Sequence, residues 1–329
     1  MPTMDGLRIF RVTALGMGLP GLHDPQAEWG RVAAVFRSSC HVMDSGGRVA
    51  CIVDGKLGNG PVNVCVDLPD GLAMEDLDAA PGAPLTHLRG HLRLGDGLLL
   101  DLSGAQRWTP PPVGPRAPAA EVRRRVRALG EALAPRAPGE GLAPMALLAE
   151  GIAWGQPVEP EPEPVTAAAL PRVSGLVHGL LSLDAPMVHE SAAGLVGLGP
   201  GLTPSGDDYL AGLLVAMTCS EAGPAASVLG DSVAALAPDR TTALGATLLS
   251  HAAAGAGSED AHLLLAAILG PGGRSDAEEA ALSLTDRGHT SGWDTLAGLL
   301  LGVHLGVRLG DSGGDRLPEC GSARVRGAR

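Results

Sequence analysis

Aromatic residues are scarce in this chain. Phe, Trp and Tyr make up 2% of its 329 residues, whereas Gly and Pro occur 48 and 27 times. Hydrophobic residues nevertheless reach 45% of the sequence, which is enough for two ordinary domains. We therefore expect cores made mostly of Leu, Val and Ala, with glycine allowing helices to approach closely.

Disulfide, secretory and membrane patterns are also missing. The odd number of cysteines leaves one unpaired in any disulfide scheme, and no two of them form a C-x-x-C pair. Residues 1–10 lack the basic-then-apolar order of a signal peptide, and no apolar run reaches the ~18 residues of a membrane span. These absences predict a reduced, soluble, cytoplasmic protein. The cysteines are Cys40, Cys51, Cys65, Cys219 and Cys320.

Positive charge is in deficit. The chain has 24 Lys and Arg against 36 Asp and Glu, giving a formal net charge of -12. Such an acidic protein is a poor candidate for binding nucleic acid or anionic membranes, which both rely on clustered Lys and Arg. The cluster Arg123–Arg125 with Arg127 is the exception, and we interpret it as a solvated helix face.

The first third of the chain has the pattern of a β-rich domain, here placed at residues 1–108. Short β-branched runs are separated by glycine-containing turns such as Asn59-Gly60-Pro61, which predicts an antiparallel sheet or a small barrel. The turn at Asn59 is either a plain hairpin turn or part of a ligand site. The predicted strands are Val32–Phe36, Arg48–Val53, Val62–Val66, His91–Leu94 and Leu98–Leu102.

The remainder of the chain is predicted to be helical, so that the whole belongs to the α+β class. Residues 109–165 form a proline-rich and helical connector that ends in the acidic linker 157–164. A helical domain follows at 166–310, with breaks at prolines including Pro186, Pro224 and Pro238. Residues 311–329 lack a pattern and are predicted to be a disordered tail.

A glycine- and proline-rich loop followed by a helix start, Gly197–Leu214, is the most distinctive segment. Its glycines allow the backbone to approach a ligand closely. Ser205 has the position of an N-cap, and Asp208 three residues later completes an acidic capping box. Leucines then recur at the spacing of a buried helical face.

The same helix start occurs a second time at Ser291–Leu300, where Ser291 and Asp294 repeat the cap. Two copies of one loop-helix element indicate paired structures within one domain. If both N-termini face one ligand, their partial positive charges and free N–H groups form an anion site. The hydroxyls of Thr203, Ser205, Thr290 and Ser291 would add to it. The pattern is neither a Walker loop nor a dinucleotide fingerprint.

Two residues of these segments are candidates for chemistry. Asp207 stands where the second copy has Trp293, and it is the carboxylate that capping does not explain. It could hold Mg²⁺, act as a general base, or only favour the helix dipole. His289 lies in the loop before Ser291 and could be a reactive group. No spacing indicates zinc ligands or a serine hydrolase.

The two motifs and the Asn59 turn together resemble the AllH-like family, which includes a subunit of oxamate carbamoyltransferase in allantoin breakdown. The resemblance spans roughly Phe36 to Val303. It implies a cytoplasmic protein of purine-nitrogen or carbamoyl metabolism that works with other protein subunits. Its ligand would be carbamoyl phosphate, oxamate or a similar small anion.

The residue patterns and the family resemblance together give the predicted site and its alternatives. Asp207 and His289 are the candidate catalytic residues, and any cofactor is undetermined apart from Mg²⁺ at Asp207. The alternatives are a non-catalytic scaffold or ligand-binding subunit, and an ordinary helical bundle in which both motifs only cap helices. The predicted binding residues are Asn59, Gly199, Gly201, Thr203, Ser205, Gly206, Asp208, Thr290, Ser291, Gly292 and Asp294.

Overall fold

The computed structural model describes residues 3–4, 7–19, 28–77, 79–88, 90–156, 158, 163–220, 222–271 and 273–312. The predicted disordered tail lies outside the described residues, except that 311 and 312 belong to the last helix. Most of the predicted linker 157–164 also lies outside them. The α+β class is confirmed, with a β-rich part preceding a helical part.

The described β-rich part contains ten strands in one sheet. They are β1 (Thr3–Met4), β2 (Leu7–Gly16), β3 (Glu28–Val35), β4 (Ser39–Met43), β5 (Val49–Asp54), β6 (Asn63–Val66), β7 (Pro84–Leu88), β8 (His91–Leu94), β9 (Leu98–Asp101) and β10 (Gln106–Trp108). Eight of them follow the order β2-β6-β5-β4-β3-β7-β8-β9, and β9 pairs again with β2, so the sheet closes on itself. The small barrel among the two predicted forms is therefore the one observed.

The barrel is mixed rather than purely antiparallel. β2 runs parallel to β9 and β10, and β5 runs parallel to β6, whereas the other neighbours are antiparallel. The interior is filled by aliphatic side chains that are fully buried, including Val12, Ile52, Val64 and Leu100. All five predicted strands are present, and the prediction missed β2, β4 and β7 as well as the short β1 and β10.

The described residues form ten α-helices, all within the connector and the domain that were predicted to be helical except for the last two residues of the tenth. They are α1 (Ala119–Leu133), α2 (Met145–Ala153), α3 (Pro164–Ser182), α4 (Ala185–Ala193), α5 (Ser205–Cys219), α6 (Pro224–Arg240), α7 (Ala243–Ala253), α8 (Glu259–Leu269), α9 (Arg274–Thr285) and α10 (Ser291–Ser312). One predicted break is wrong, because Pro238 lies inside the last turn of α6. Pro186 and Pro224 instead lie in first turns, where a missing N–H costs nothing.

Helices α5 and α10 form the centre of the helical part. Both are buried on nearly all sides, and their apolar residues belong to one core with those of α1 to α4 and α6 to α9. The connector helices α1 and α2 contribute Val122, Leu129 and Met145 to this core. The segment predicted as a connector thus packs with the helical domain, while the predicted domain boundaries remain predictions.

Several contacts join the barrel and the helical part. Leu244 of α7 is buried in the apolar core of the barrel. The turn before β6 is fixed to the start of α8, where Glu259 Oε2 accepts the backbone N–H and the side-chain Nδ2–H of Asn59, both at 2.9 Å. Glu259 N–H in turn donates to the carbonyl of Asn59. No described helix combines the length and the hydropathy that crossing a membrane requires.

Candidate functional site

A cleft of about 1210 Å³ lies between the barrel and the helical part. The barrel contributes residues of β4, β5 and the β6 region, and the helical part contributes both loop-helix motifs. The motifs lie side by side, since the hydroxyl oxygens of Thr203 and Ser291 are 3.1 Å apart. Of the predicted binding residues, the cleft is lined by Gly201, Thr203, Ser205, Asp208, Thr290 and Ser291, together with the candidate catalytic His289.

The motifs are held together by a reciprocal glycine contact between α5 and α10. A Cβ atom on Gly212 would fall well inside van der Waals distance of the Thr295 carbonyl oxygen. A Cβ atom on Gly298 would do the same at the carbonyl oxygen of Tyr209. Gly212 and Gly298 are equivalent positions of the two copies, and so are Tyr209 and Thr295. The duplicated sequence therefore produces a locally two-fold pair of helices whose starts meet at the cleft.

The serines do not act as the predicted caps. Pro204 is the N-cap of α5, it makes no side-chain cap bond, and Ser205 is the first helical residue. The Ser205 hydroxyl instead hydrogen-bonds to Asp294, and the Ser291 hydroxyl to Asp208. Each motif thus places its serine beside the carboxyl group of the other motif. The capping-box prediction is wrong because Pro204 occupies the N-cap position and Ser205 already lies inside the helix.

The prediction of free amides at both helix starts also needs correction. The first-turn N–H groups donate to carbonyl groups of the chain: Gly206 to Leu198, Asp207 and Asp208 to Pro204, Gly292 to Arg287, and Asp294 to Thr290. Backbone donors remain in the preceding loop, where the N–H groups of Gly201, Leu202 and Thr203 donate to no group of the described residues. Donors for an anion are therefore loop amides and side-chain hydroxyls rather than helix-end amides.

Asp207 has the structural partners that the sequence did not reveal. Its Oδ1 accepts the N–H of Gly197 at 2.8 Å, and its Oδ2 accepts the hydroxyl of Thr241. It is 2% exposed, and burial raises its pKa. These bonds fasten the glycine-rich loop to the start of α7, and Asp207 does not line the cleft. The idea that Asp207 lacks a structural role is wrong, and its occupied oxygens do not fit the predicted Mg²⁺.

Asp208 and Asp294 each have one buried carboxyl oxygen without a hydrogen-bond partner among the described residues, and Asp208 is the one of the two that lines the cleft. Its residue is 8% exposed, and Oδ2 is buried with no hydrogen-bond partner in the described part of the chain. Burial raises its pKa well above the usual value, and the charge of Asp294 adds to this. The hydroxyls of Ser291 and Thr203 counteract part of the rise. Asp208 therefore favours its protonated form, which can donate a hydrogen bond.

Asp294 occupies the equivalent place in the second motif, where a backbone N–H donates to one of its carboxyl oxygens. Its other oxygen, Oδ2, is buried without a hydrogen-bond partner in the described part of the chain, like that of Asp208. Its Oδ1 accepts the N–H of Leu142 at 2.6 Å. Burial raises its pKa to about 6, while the Leu142 N–H and the hydroxyls of Ser205 and Thr290 limit the rise. Asp294 does not line the cleft and joins the helical pair to the loop before α2. Its predicted role in ligand binding therefore has a structural alternative.

Two cationic or titratable side chains lie at the cleft on the loop before α10. His289 is exposed, and its Nδ1 is 3.6 Å from Oε2 of Glu140. Arg287, which the sequence did not single out, lines the cleft and donates from Nε to Oδ2 of Asp260 at 2.5 Å. Arg287 is mostly buried by this ion pair and so forms a fixed positive wall of the cleft.

The barrel wall contributes polar residues that sequence reasoning missed. Ser39 and His41 both line the cleft, and Ser39 Oγ lies 3.3 Å from His41 Nε2. They alternate along β4, which places them on one face of the strand. Burial lowers the pKa of His41, which favours the neutral imidazole. The alternation around buried Cys40 and Val42 could have revealed the strand.

Asn59 itself does not line the cleft, because its backbone and side chain bind Glu259. Asn63, four residues later, lines the cleft in its place. Gly199, Gly206 and Gly292 shape the two loops without lining the cleft. At Gly206 and Gly292 a Cβ atom would overlap backbone carbonyls of Leu195 and Leu284. Within the described residues, no group of three or more His, Cys, Asp or Glu side chains is placed to hold a metal ion.

Comparison with known proteins gives two family matches. Residues 195–303 match the family described as oxamate carbamoyltransferase subunit AllH, and residues 19–107 match the AllH family N-terminal domain. No protein of curated function and no solved structure matches the chain significantly. The two matched segments contain most of the residues that line the cleft, but not Glu140, Gly141, Glu163 and Val165. The chain belongs to the AllH family, which is described as a subunit of oxamate carbamoyltransferase.

Proposed function

We propose that this member of the AllH family provides the cleft in which a carbamoyltransferase binds a small carbamoyl- or phosphate-bearing anion, such as carbamoyl phosphate or oxamate. The observation that carries the proposal is the meeting of both loop-helix motifs at one cleft, with the hydroxyls of Thr203 and Ser291 3.1 Å apart. The family is described as a subunit of oxamate carbamoyltransferase, which implies that the chain acts together with other proteins.

The chemistry of the cleft suits a small anion. The loop N–H groups of Gly201, Leu202 and Thr203 are available donors beside the hydroxyls, and successive loop amides are a common way to bind phosphate or carboxylate. Arg287 supplies a positive charge on the same wall. The carboxyl groups of Glu140 and Glu163 oppose a highly charged ligand, so we expect the anion to lie toward Thr203 and Arg287.

We retain His289 as the candidate catalytic residue of the proposal. It lines the cleft, it is exposed to a ligand, and Glu140 is close enough to orient its imidazole. Asp207 was the other candidate, and its structural bonds make it a positioning residue for the glycine-rich loop. His41 of the barrel, held by Ser39, is a second group able to accept a proton at the cleft.

The alternative is a non-catalytic subunit that binds ligand or supports a catalytic chain. The family description as a subunit favours this, because it leaves open which chain carries the reaction. Turnover of carbamoyl phosphate and oxamate by the purified chain alone would dismiss the alternative. Binding without turnover, and turnover only after partner chains are added, would establish it.

A place in purine or allantoin breakdown and in the cytoplasm is part of the proposal. The four described cysteines, Cys40, Cys51, Cys65 and Cys219, are free thiols, which fits a reducing compartment. Growth of a deletion strain on allantoin as nitrogen source would test the pathway, and cell fractionation would test the location.

The direct test is a thermal-shift and calorimetric titration with carbamoyl phosphate, inorganic phosphate and oxamate, each with and without Mg²⁺. A ligand that binds the native state raises the melting temperature with concentration. Thr203→Val removes one hydroxyl at nearly constant shape, and we expect binding to weaken about tenfold, the loss of one hydrogen bond to a charged group. Thr247→Val on α7, which removes a hydroxyl bonded only to its own helix, is the matched control.

His289→Ala tests the catalytic assignment separately. We expect turnover by the chain or its complex to fall while the melting temperature stays unchanged, because the side chain is exposed. If none of the anions binds the chain or its complex, the proposed function is wrong. If Thr203→Val and Thr247→Val behave alike, the anion does not lie at the motifs.

A further inference from the structure

Beside the cleft lies a second, smaller and partly open compartment of about 180 Å³, lined by the barrel turn at Gly60 and by residues of the helices α5, α7, α8, α9 and α10. Its wall is mostly apolar and made of small residues such as Ala211, Ala252 and Gly257. The space is close to the roughly 150 Å³ of a cavity that holds one benzene molecule. It can therefore take a ligand group of about six heavy atoms.

Four polar residues line both the compartment and the cleft, namely Asn63, Asp208, Arg287 and Ser291. The two spaces therefore adjoin at these side chains. Asp208 is the most buried of them, and its Oδ2 has no partner within the described residues. A buried polar atom of this kind costs about 1–3 kcal/mol unless something satisfies it.

The local two-fold symmetry of the motifs shows what Asp208 lacks. Asp294, its equivalent, accepts the N–H of Leu142 from the loop before α2. No backbone N–H of the described residues donates to Asp208. Where the second motif has a chain segment, the first motif has open space. A ligand amide at that position would donate to Asp208 in the way that the Leu142 N–H donates to Oδ1 of Asp294.

We propose that the compartment is a subsite for a small neutral primary carboxamide, which the carboxyl group of Asp208 recognises. A carboxyl group that keeps its proton presents one donor and one acceptor side by side, and a primary carboxamide presents the complementary acceptor and donor. The two groups form a pair of parallel hydrogen bonds. The apolar wall excludes a fully ionised group, since nothing beyond Arg287 and the polar rim compensates a charge there.

Arg287 does not alter this assignment, because its positive charge is shared with Asp260 and is only in part available to a ligand. The guanidinium contacts Asp260 through Nε and Nη2, and both residues are mostly buried. The remaining titratable neighbours of Asp208 are Asp207 on the same helix and Asp294 on α10, and both repel a second negative charge. An anionic ligand end would therefore point outward to the cleft, and the carboxamide end inward.

The inference deepens the proposed function, because one ligand could place its carboxamide in the compartment and its anionic end in the cleft. It can fail independently. Binding of acetamide, which has no anionic end, reports the compartment alone, and binding of inorganic phosphate reports the cleft alone. Acetamide binding without phosphate binding would leave the carboxamide subsite standing and remove the anion site.

The experiment measures binding of acetamide to the full chain by saturation-transfer NMR and by thermal shift, with N,N-dimethylacetamide and acetate as comparison ligands. We expect acetamide to bind and the dimethylated amide to bind at least about tenfold more weakly, because it lacks the N–H donors. Asp208→Asn should retain binding, since an asparagine side chain also pairs with a carboxamide. Asp208→Leu should lose it.

Filling the compartment provides a test that leaves Asp208 in place. Ala211→Val adds two methyl groups to its wall, whereas Ala226→Val on α6 adds them at a half-buried site elsewhere. We expect only Ala211→Val to abolish acetamide binding while both proteins remain folded by circular dichroism. Equal binding of acetamide and its dimethylated analogue, retained binding in Asp208→Leu, or no binding to the wild type would each overturn the inference.

Discussion

Replacement of Asp294 by asparagine should remove a pH-dependent destabilisation of the fold. Burial raises the pKa of this carboxyl group from 3.8 to about 6. A carboxyl group whose pKa is raised by folding stabilises the native state while it is protonated. That stability is fully present below about pH 4 and is lost as the pH rises through about 6.

The magnitude follows from the size of the shift. A difference of about two pKa units corresponds to about 3 kcal/mol between the protonated and ionised states. The asparagine side chain of the variant cannot ionise, yet its oxygen can still accept the N–H of Leu142. We therefore expect the free energy of unfolding of Asp294→Asn, relative to the wild type, to rise by about 3 kcal/mol between about pH 4 and about pH 8.

Urea denaturation followed by far-UV circular dichroism at several pH values measures this difference. Asp231→Asn, an exposed change of the same kind on α6, is the control for the loss of one carboxyl group. Any lost strength in the hydrogen bond from Leu142 adds a constant and does not change the slope. A relative stability of Asp294→Asn that stays level from about pH 4 to about pH 8 would refute the reasoning.

Three further changes test the contacts that shape the site. Gly298→Ala should destabilise the protein by about 2 kcal/mol or more, because its Cβ overlaps the Tyr209 carbonyl. Gly310→Ala on the same helix is the control, since a Cβ atom there meets open space. Urea titration measures both stabilities. Glu259→Ala removes the two side-chain bonds to the Asn59 turn and keeps the backbone bond, and it should lower the melting temperature, while Glu259→Gln should retain most of it. Asp207→Ala should loosen the glycine-rich loop, seen as faster amide exchange there.

Each of these expectations has a contradicting outcome. Equal stabilities of Gly298→Ala and Gly310→Ala would mean that the two central helices tolerate separation. A melting temperature of Glu259→Ala equal to that of the wild type would mean that the barrel is held by apolar contacts alone. Unchanged exchange in Asp207→Ala would show that the loop is fixed by other bonds.

The helices could be predicted from the sequence because their signals are local. Prolines and glycines mark their ends, and leucines recur at helical spacing, as in Leu210, Leu213 and Leu214 of α5. Barrel closure could not be predicted, because it depends on β9 pairing with the distant β2. Strand β2 was missed although Phe10, Val12 and Ala14 alternate as buried residues with exposed Arg11 and Thr13. A ten-residue strand with charged residues is difficult to separate from a loop without its neighbours.

The site was predicted in part, since the duplicated motif indicated that two helix starts meet. The partners of its side chains could not be inferred. A capping box explains Ser205 and Asp208 within one motif, whereas the structure pairs each serine with the aspartate of the other motif. His41 and Arg287 belong to the cleft only because the barrel is placed against the helices. Such contacts join segments far apart in sequence, and no local pattern records them.

The differences between the two copies explain why the open compartment lies beside the first copy. At the position of Asp207 the second copy has Trp293, whose large side chain is buried in the helical core. Asp207 instead spans from Gly197 to Thr241 and holds the loop and α7 around the first copy. The next residue also differs in its surroundings, since Asp294 meets the N–H of Leu142 and Asp208 meets the open compartment. A symmetric helix pair thus has asymmetric surroundings, with the loop before α2 against the second copy and an open compartment against the first.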